Sequence, residues 1–217
     1  MAEVRELAIL IYERMTALDA IGPYEVLSRL PGVVTKFVAP ERGLKRTDQG
    51  LGLEAGFSLD EVPAPAILLV PGGPGQSAMM EDQRVLDWIR TAHPRTEWTT
   101  SVCTGSLILA GAGILNGLRA TTHWLAMEEL GRLGAIPVSE RVVFDGKLVT
   151  AAGVSAGIDM ALQLAARISG QEEAESIQLW IEYNPQPPFD SGEPGSAEPK
   201  VVERLRSKSR FHQRGRE

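Results

Sequence analysis

The stretch Trp98-Thr99-Thr100-Ser101-Val102-Cys103-Thr104-Gly105-Ser106 decides the fold. Its first five residues favour a strand, and the small residues after Cys103 lead into the apolar run 107–112, which reads as a helix. A strand that stops at a cysteine and turns at once into a glycine-containing helix start lifts that side chain above the carboxyl edge of a sheet. Toward the amino terminus, Leu7-Ala8-Ile9-Leu10-Ile11-Tyr12 is continuously apolar, as expected of a central parallel strand covered on both faces. Asp19 then precedes a helical pattern over 20–30, carried by Ile21, Tyr24, Leu27 and Leu30 and stopped by Pro31-Gly32. Residues 33–39 and 66–70 read as buried strands with an irregular stretch between them, and Pro71-Gly72-Gly73-Pro74-Gly75 breaks the second sharply.

The same alternation continues around and beyond Cys103. An amphipathic helix is predicted over 83–92 and another over 125–133, followed by a hairpin over 142–149 with Asp145-Gly146 as its turn. Residues 155–168 and 172–183 read as two closing helices, with Ser155 as a cap and Gly170 as a stop between them. Strands alternating with helices predict an α/β fold, a mostly parallel sheet with helices on both faces. One α/β domain is expected over residues 1–184. Residues 185–217 read as an extension, rich in Pro and Gly and then basic, with no internal repeat.

Composition narrows the function classes. The chain has 217 residues, 43% of them hydrophobic, enough for one substantial core. No run approaches the roughly 18 apolar residues of a membrane span, and residues 1–6 carry acids where a signal peptide has basic residues, so the expected compartment is the cytoplasm. One cysteine and three scattered histidines offer no metal-ligand spacing, so no metal or other cofactor is expected. A net charge of -6 disfavours general nucleic-acid binding. The basic run Lys200, Arg204, Arg206, Lys208, Arg210, Arg214 and Arg216 is read as a solvated tail rather than a nucleic-acid arm.

Each candidate for chemistry has a bland alternative. A lone cysteine is commonly an inert core thiol. The elbow around Cys103 favours a nucleophile, and the following helix start favours its thiolate. The glycine turn lacks the spacing of a phosphate or dinucleotide site. Gly72 or Gly73 can offer a main-chain N–H to a developing negative charge, together with that of Thr104, or can simply make a tight turn. Asp19 is either a helix N-cap or a carboxyl facing the thiol from the same sheet edge; Glu25 is the competing acid and ranks second. His123, in Thr121-Thr122-His123-Trp124, either orients the site or bonds within its loop. His93 and His212 are weaker candidates.

Taken together, Asp19, Pro71-Gly72-Gly73, Val102-Cys103-Thr104-Gly105, Thr121-Thr122-His123-Trp124 and the run 150–159 resemble the ThiJ/PfpI superfamily across nearly the whole folded part. Cys103-Thr104, Asp19 and the segment 178–189 resemble its isonitrile hydratase branch. The resemblance implies a flavodoxin-like sheet, as in class I glutamine amidotransferases, a reactive cysteine at the elbow, and a homodimer. It also implies water addition to a small-molecule isonitrile through a thioimidate on Cys103, with Asp19 and Thr104 assisting. Thr104 stands where peptidases of the superfamily carry His, and no carboxy-terminal His-x-Glu is present, which argues against peptidase and amidotransferase chemistry. A glyoxalase- or deglycase-like enzyme acting on reactive aldehydes, and a cysteine redox sensor without turnover, are the alternatives.

Overall fold

The computed structural model describes residues 4–213. Met1 to Glu3 of the acidic start, and Arg214 and Arg216 of the basic run, lie outside the described residues. The central sheet is built from Arg5–Leu10 (β1), Val33–Ala39 (β2), Phe57–Ser58 (β3), Ile67–Val70 (β4), Trp98–Val102 (β5), Val142–Asp145 (β6) and Leu148–Ala151 (β7). Their spatial order is β6-β7-β5-β4-β1-β2-β3. Every neighbouring pair is parallel except the β6–β7 hairpin, which turns at Gly146 with φ +59°. The flavodoxin-like expectation therefore holds, with one antiparallel edge strand.

Successive residues of a strand point to opposite faces. All four residues of β4 are fully buried, as are Leu7 to Leu10 of β1, so both faces of the sheet centre are covered. Ala17–Leu27 (α1), Gln76–Glu81 (α2), Gln83–Ala92 (α3), Gly105–Gly111 (α4), Met127–Arg132 (α5), Ala156–Ser169 (α6) and Gln171–Trp180 (α7) supply that cover. Helix α6 packs against both α1 and α7, and α2, α3 and α4 form a second group. No helix among the described residues is long and apolar enough to cross a membrane.

Two expectations are corrected. Helix α1 begins at Ala17 with Thr16 as its N-cap residue, so Asp19 lies inside the first turn and is not the cap. Ser155 precedes α6 without capping it; its hydroxyl instead receives a hydrogen bond from Arg141 at 3.3 Å. Beyond Asn184 the chain is irregular up to residue 198. It then forms Pro199–Lys208 (α8) and Arg210–Gln213 (α9), where only a solvated tail was expected. Val201, Val202 and Leu205 recur at helical spacing behind a Pro at the first position, and Val202 is buried.

Candidate active site

Parallel strands end at one edge, and four adjacent ones, β7, β5, β4 and β1, deliver the site there. Cys103 follows β5, the Gly72-Gly73 turn follows β4, Tyr12 and then α1 with Asp19 follow β1, and Ala152 to Val154 follow β7. Because β4 lies between β5 and β1, its turn sits between the thiol and the acid, which are distant in sequence.

Cys103 has φ +57°, a left-handed conformation that costs a residue with a Cβ about 1 to 2 kcal/mol. The surroundings enforce it. Its N–H is directed at the carbonyls of Ala151 (3.1 Å) and Ala152 (2.9 Å), and its own carbonyl accepts from the hydroxyls of Thr122 (2.9 Å) and Ser106 (3.1 Å). Gly105 lets α4 start this close to β4: a Cβ there would lie 2.0 Å from the Val70 carbonyl oxygen. The sulfur receives the backbone N–H groups of Thr104 and Val154 and faces Asp19.

Asp19 is fully buried. Its Oδ2 accepts the Gly72 N–H at 3.0 Å, whereas Oδ1 has no hydrogen-bond donor apart from the thiol that the carboxyl faces. Burial raises its pKa from 3.8 to about 7, against the opposing pull of the Gly72 N–H and the Cys103 thiol; Asp48 adds to the rise. Burial, and then the adjacent Asp19 charge, also push the Cys103 thiol well above its ordinary value. The expectation of a thiolate stabilised by the helix start is thus corrected. Two N–H groups point at the sulfur, but desolvation outweighs them. Sulfur and carboxyl titrate as a pair, which after losing its first proton shares one proton and one negative charge.

The glycine turn is placed beside the site but with a different use from the expected one. The Gly72 N–H is committed to Asp19 and the Gly73 N–H to Thr104 Oγ1 at 3.0 Å, so both amides hold side chains and neither points free at a reacting atom. Gly72 has to be glycine, since a Cβ would lie 2.5 Å from the Thr104 nitrogen. Thr104 is buried, and having accepted from Gly73 its hydroxyl keeps a proton to donate.

His123 caps a short turn by accepting the Leu125 N–H on Nδ1 at 3.3 Å, and burial lowers its pKa, so the ring is neutral near pH 7. It lines a cavity of about 400 Å³ together with Thr122, Trp124, Arg141 and Val154. Glu25 pairs with Arg29 at 2.7 Å in a groove between α1 and α6, away from the sulfur. His93 bonds Thr99 at the opposite end of β5, and His212 is exposed in α9.

Two participants escaped the sequence reading. Tyr12 is buried beside Asp19 and Cys103 and donates to the Pro71 carbonyl at 2.8 Å; burial and these acidic neighbours hold its hydroxyl protonated. Its place at the end of a buried strand run was the available signal. The Val154 N–H is a main-chain group, which no side-chain pattern marks.

The DJ-1/PfpI family model matches residues 5–167. The chain is 43% identical over 204 residues to an isonitrile hydratase from Pseudomonas putida, covering 94% of this chain and 90% of that one. A ThiJ/PfpI family protein from Pseudomonas syringae superposes with a TM-score of 0.92 at 35% identity, covering 94% of this chain and 85% of that one. Drosophila melanogaster DJ-1beta, at 20% identity and a TM-score of 0.76 over 84% of this chain and 100% of that one, shares the fold. With its elbow cysteine and this sheet order, the chain belongs to the DJ-1/PfpI family.

Proposed function

We infer that the protein is an isonitrile hydratase, converting R-N≡C and water to the N-substituted formamide. The likeness to the Pseudomonas putida hydratase over nearly the full length of both chains carries this reading. The Asp19–Cys103 pair supplies chemistry that fits it.

The terminal carbon of an isonitrile accepts a nucleophile and then needs a proton. The sulfur attacks that carbon, and the proton shared with Asp19 passes to it, giving the thioimidate R-N=CH-S-Cys103 and leaving Asp19 ionised. Asp19 then takes a proton from water as its oxygen adds to the same carbon, and returns that proton to nitrogen. The tetrahedral adduct collapses to R-NH-CHO, its hydroxyl proton going back to the sulfur–carboxyl pair. A carboxyl whose pKa lies at about 7 exchanges protons in both directions near neutral pH. Thr104 donates its hydroxyl toward the reacting centre, the Gly72 and Gly73 amides fix the acid and that hydroxyl, and neutral His123 lines the approach. No cofactor takes part.

The same reading makes the protein a cytoplasmic homodimer with a small-molecule substrate, in which residues 1–184 form the catalytic domain and 185–217 an extension. A peroxide sensor, one alternative, predicts selective oxidation of Cys103 under mild peroxide and no isonitrile turnover. The glyoxalase-like alternative predicts turnover of methylglyoxal and none of isonitriles. The test is incubation with cyclohexyl isocyanide and detection of the matching formamide. Wild type is expected to produce it and Cys103→Ala to lose at least about a thousandfold in kcat; equal product from both would remove the covalent step.

A further inference from the structure

The catalytic account leaves one folded part of the chain unused, the arm from Asn184 to the end of α9. The arm touches both loops that flank Cys103. Gly192, Glu193 and Pro194 line the same 400 Å³ cavity as His123, Trp124 and Val154. Two residues that line the cavity also hold Cys103, the Val154 N–H bonding the sulfur and the Thr122 hydroxyl bonding the Cys103 carbonyl, so the chamber adjoins the turn that carries the cysteine. Beyond Pro194 the chain is latched twice. The Arg206 guanidinium lies 5.9 Å from the Trp124 ring centre, and Arg210 reaches the Pro74 carbonyl (2.7 Å), Ser77 Oγ (3.1 Å) and Gln76 Oε1 (2.5 Å) at the end of the glycine turn. Buried Val202 seats the intervening helix.

We propose that this arm is a specificity-determining wall of the substrate chamber, setting how bulky an N-substituent can be and still reach Cys103. The inference rests on the hydratase reading for the identity of the substrate. Segment 190–198 is irregular and its backbone bonds are local, from the Ser196 and Ala197 N–H groups to the Glu193 carbonyl and from the start of α8 to the Glu198 carbonyl. Its position over the chamber therefore depends on the anchors that follow, the two arginine latches together with buried Val202 and the core-packed Phe211, and freeing the latches loosens the wall and widens the opening.

The experiment compares wild type, Arg206→Ala/Arg210→Ala, and Pro194→Trp, which fills the mouth instead of opening it. The readout is the ratio of kcat/KM for cyclohexyl isocyanide to that for methyl isocyanide. Freeing the latches is expected to raise this ratio at least about tenfold, and Pro194→Trp to lower it by a similar factor. In parallel, the rate of Cys103 alkylation by N-cyclohexylmaleimide relative to iodoacetamide should move in the same two directions. If both ratios stay within about twofold of wild type in both variants, the arm is not a wall and the proposal is overturned. If wild type hydrates neither isonitrile, the hydratase reading fails, and the alkylation ratios alone decide for or against the arm.

Discussion

Asp19 combines full burial, one main-chain hydrogen bond and one oxygen left without an N–H or O–H donor. That environment favours the neutral acid, and the consequence for stability has a definite sign. Between 3.8 and about 7 the native state binds a proton that the unfolded chain has released. Stability therefore falls as pH rises through this window, by about 1.4 kcal/mol per unit at most, and levels off above it. Asp19→Asn removes the effect: its Tm relative to wild type should climb between pH 4 and pH 7, while kcat/KM drops at least about a hundredfold. A Tm difference independent of pH would show that Asp19 titrates normally. Wild-type kcat/KM should rise with pH through about 7 on its acid side, as the pair loses its first proton. At Cys103 the left-handed φ reverses the usual ranking of two substitutions. Cys103→Gly should be at least as stable as Cys103→Ala in denaturant melts, despite the roughly 1 kcal/mol that glycine ordinarily costs. Sequence reading found the thiol and the acid but gave Asp19 a cap as its bland alternative. Thr16 holds that position, a boundary shift of three residues that periodicity alone does not fix.

At the scale of elements, the β5–α4 elbow is held by close approaches of main chain to main chain. Gly105 sits where a Cβ would meet the Val70 carbonyl at 2.0 Å, and that neighbour belongs to a fully buried strand that cannot give way. Gly105→Ala is expected to destabilise the fold by about 2 to 3 kcal/mol and to lower kcat as the sulfur shifts, read by chemical denaturation and initial rates on the same preparation. An unchanged denaturation midpoint would mean that the elbow has room to accept a Cβ beside the Val70 carbonyl. Strands β2 and β5 and helix α3 were legible residue for residue, and the β6–β7 hairpin was legible in kind, though its second strand runs on to Ala151 and its turn falls at Gly146-Lys147 rather than Asp145-Gly146. The oxyanion reading of Gly72 and Gly73 was not. A sequence shows that a glycine permits close approach, but not which acceptor its N–H will meet. Helix α8 was not legible because its many charged residues leave only Val201, Val202 and Leu205 to carry the helical spacing.

On the scale of the whole molecule, the parallel sheet gathers four strand ends at one edge, and this gathering makes a site from residues as far apart as Tyr12 and Val154. It was legible from the strand pattern and from the family resemblance together. Oligomeric state belongs to this scale too. Leu179 and Trp180 are 81% and 79% exposed, and Trp180 borders a groove formed with Leu18, Ile21 and Ile158. Apolar exposure of that kind fits the proposed homodimer. Light scattering is expected to give twice the chain mass for wild type and a shift toward monomer for Trp180→Glu; a monomeric wild type would remove the dimer.

The central claim, that the Cys103 sulfur and the Asp19 carboxyl act as one proton-sharing pair on an isonitrile carbon, predicts a transient covalent species. Intact-protein mass spectrometry of acid-quenched mixtures with cyclohexyl isocyanide, followed by peptide mapping, measures it directly. A mass gain of one whole substrate molecule, located on Cys103 in wild type and absent from Cys103→Ala and Asp19→Asn, is the expected result. Formamide accumulating at the wild-type rate from the Cys103→Ala protein, which can carry no such adduct, would contradict the account.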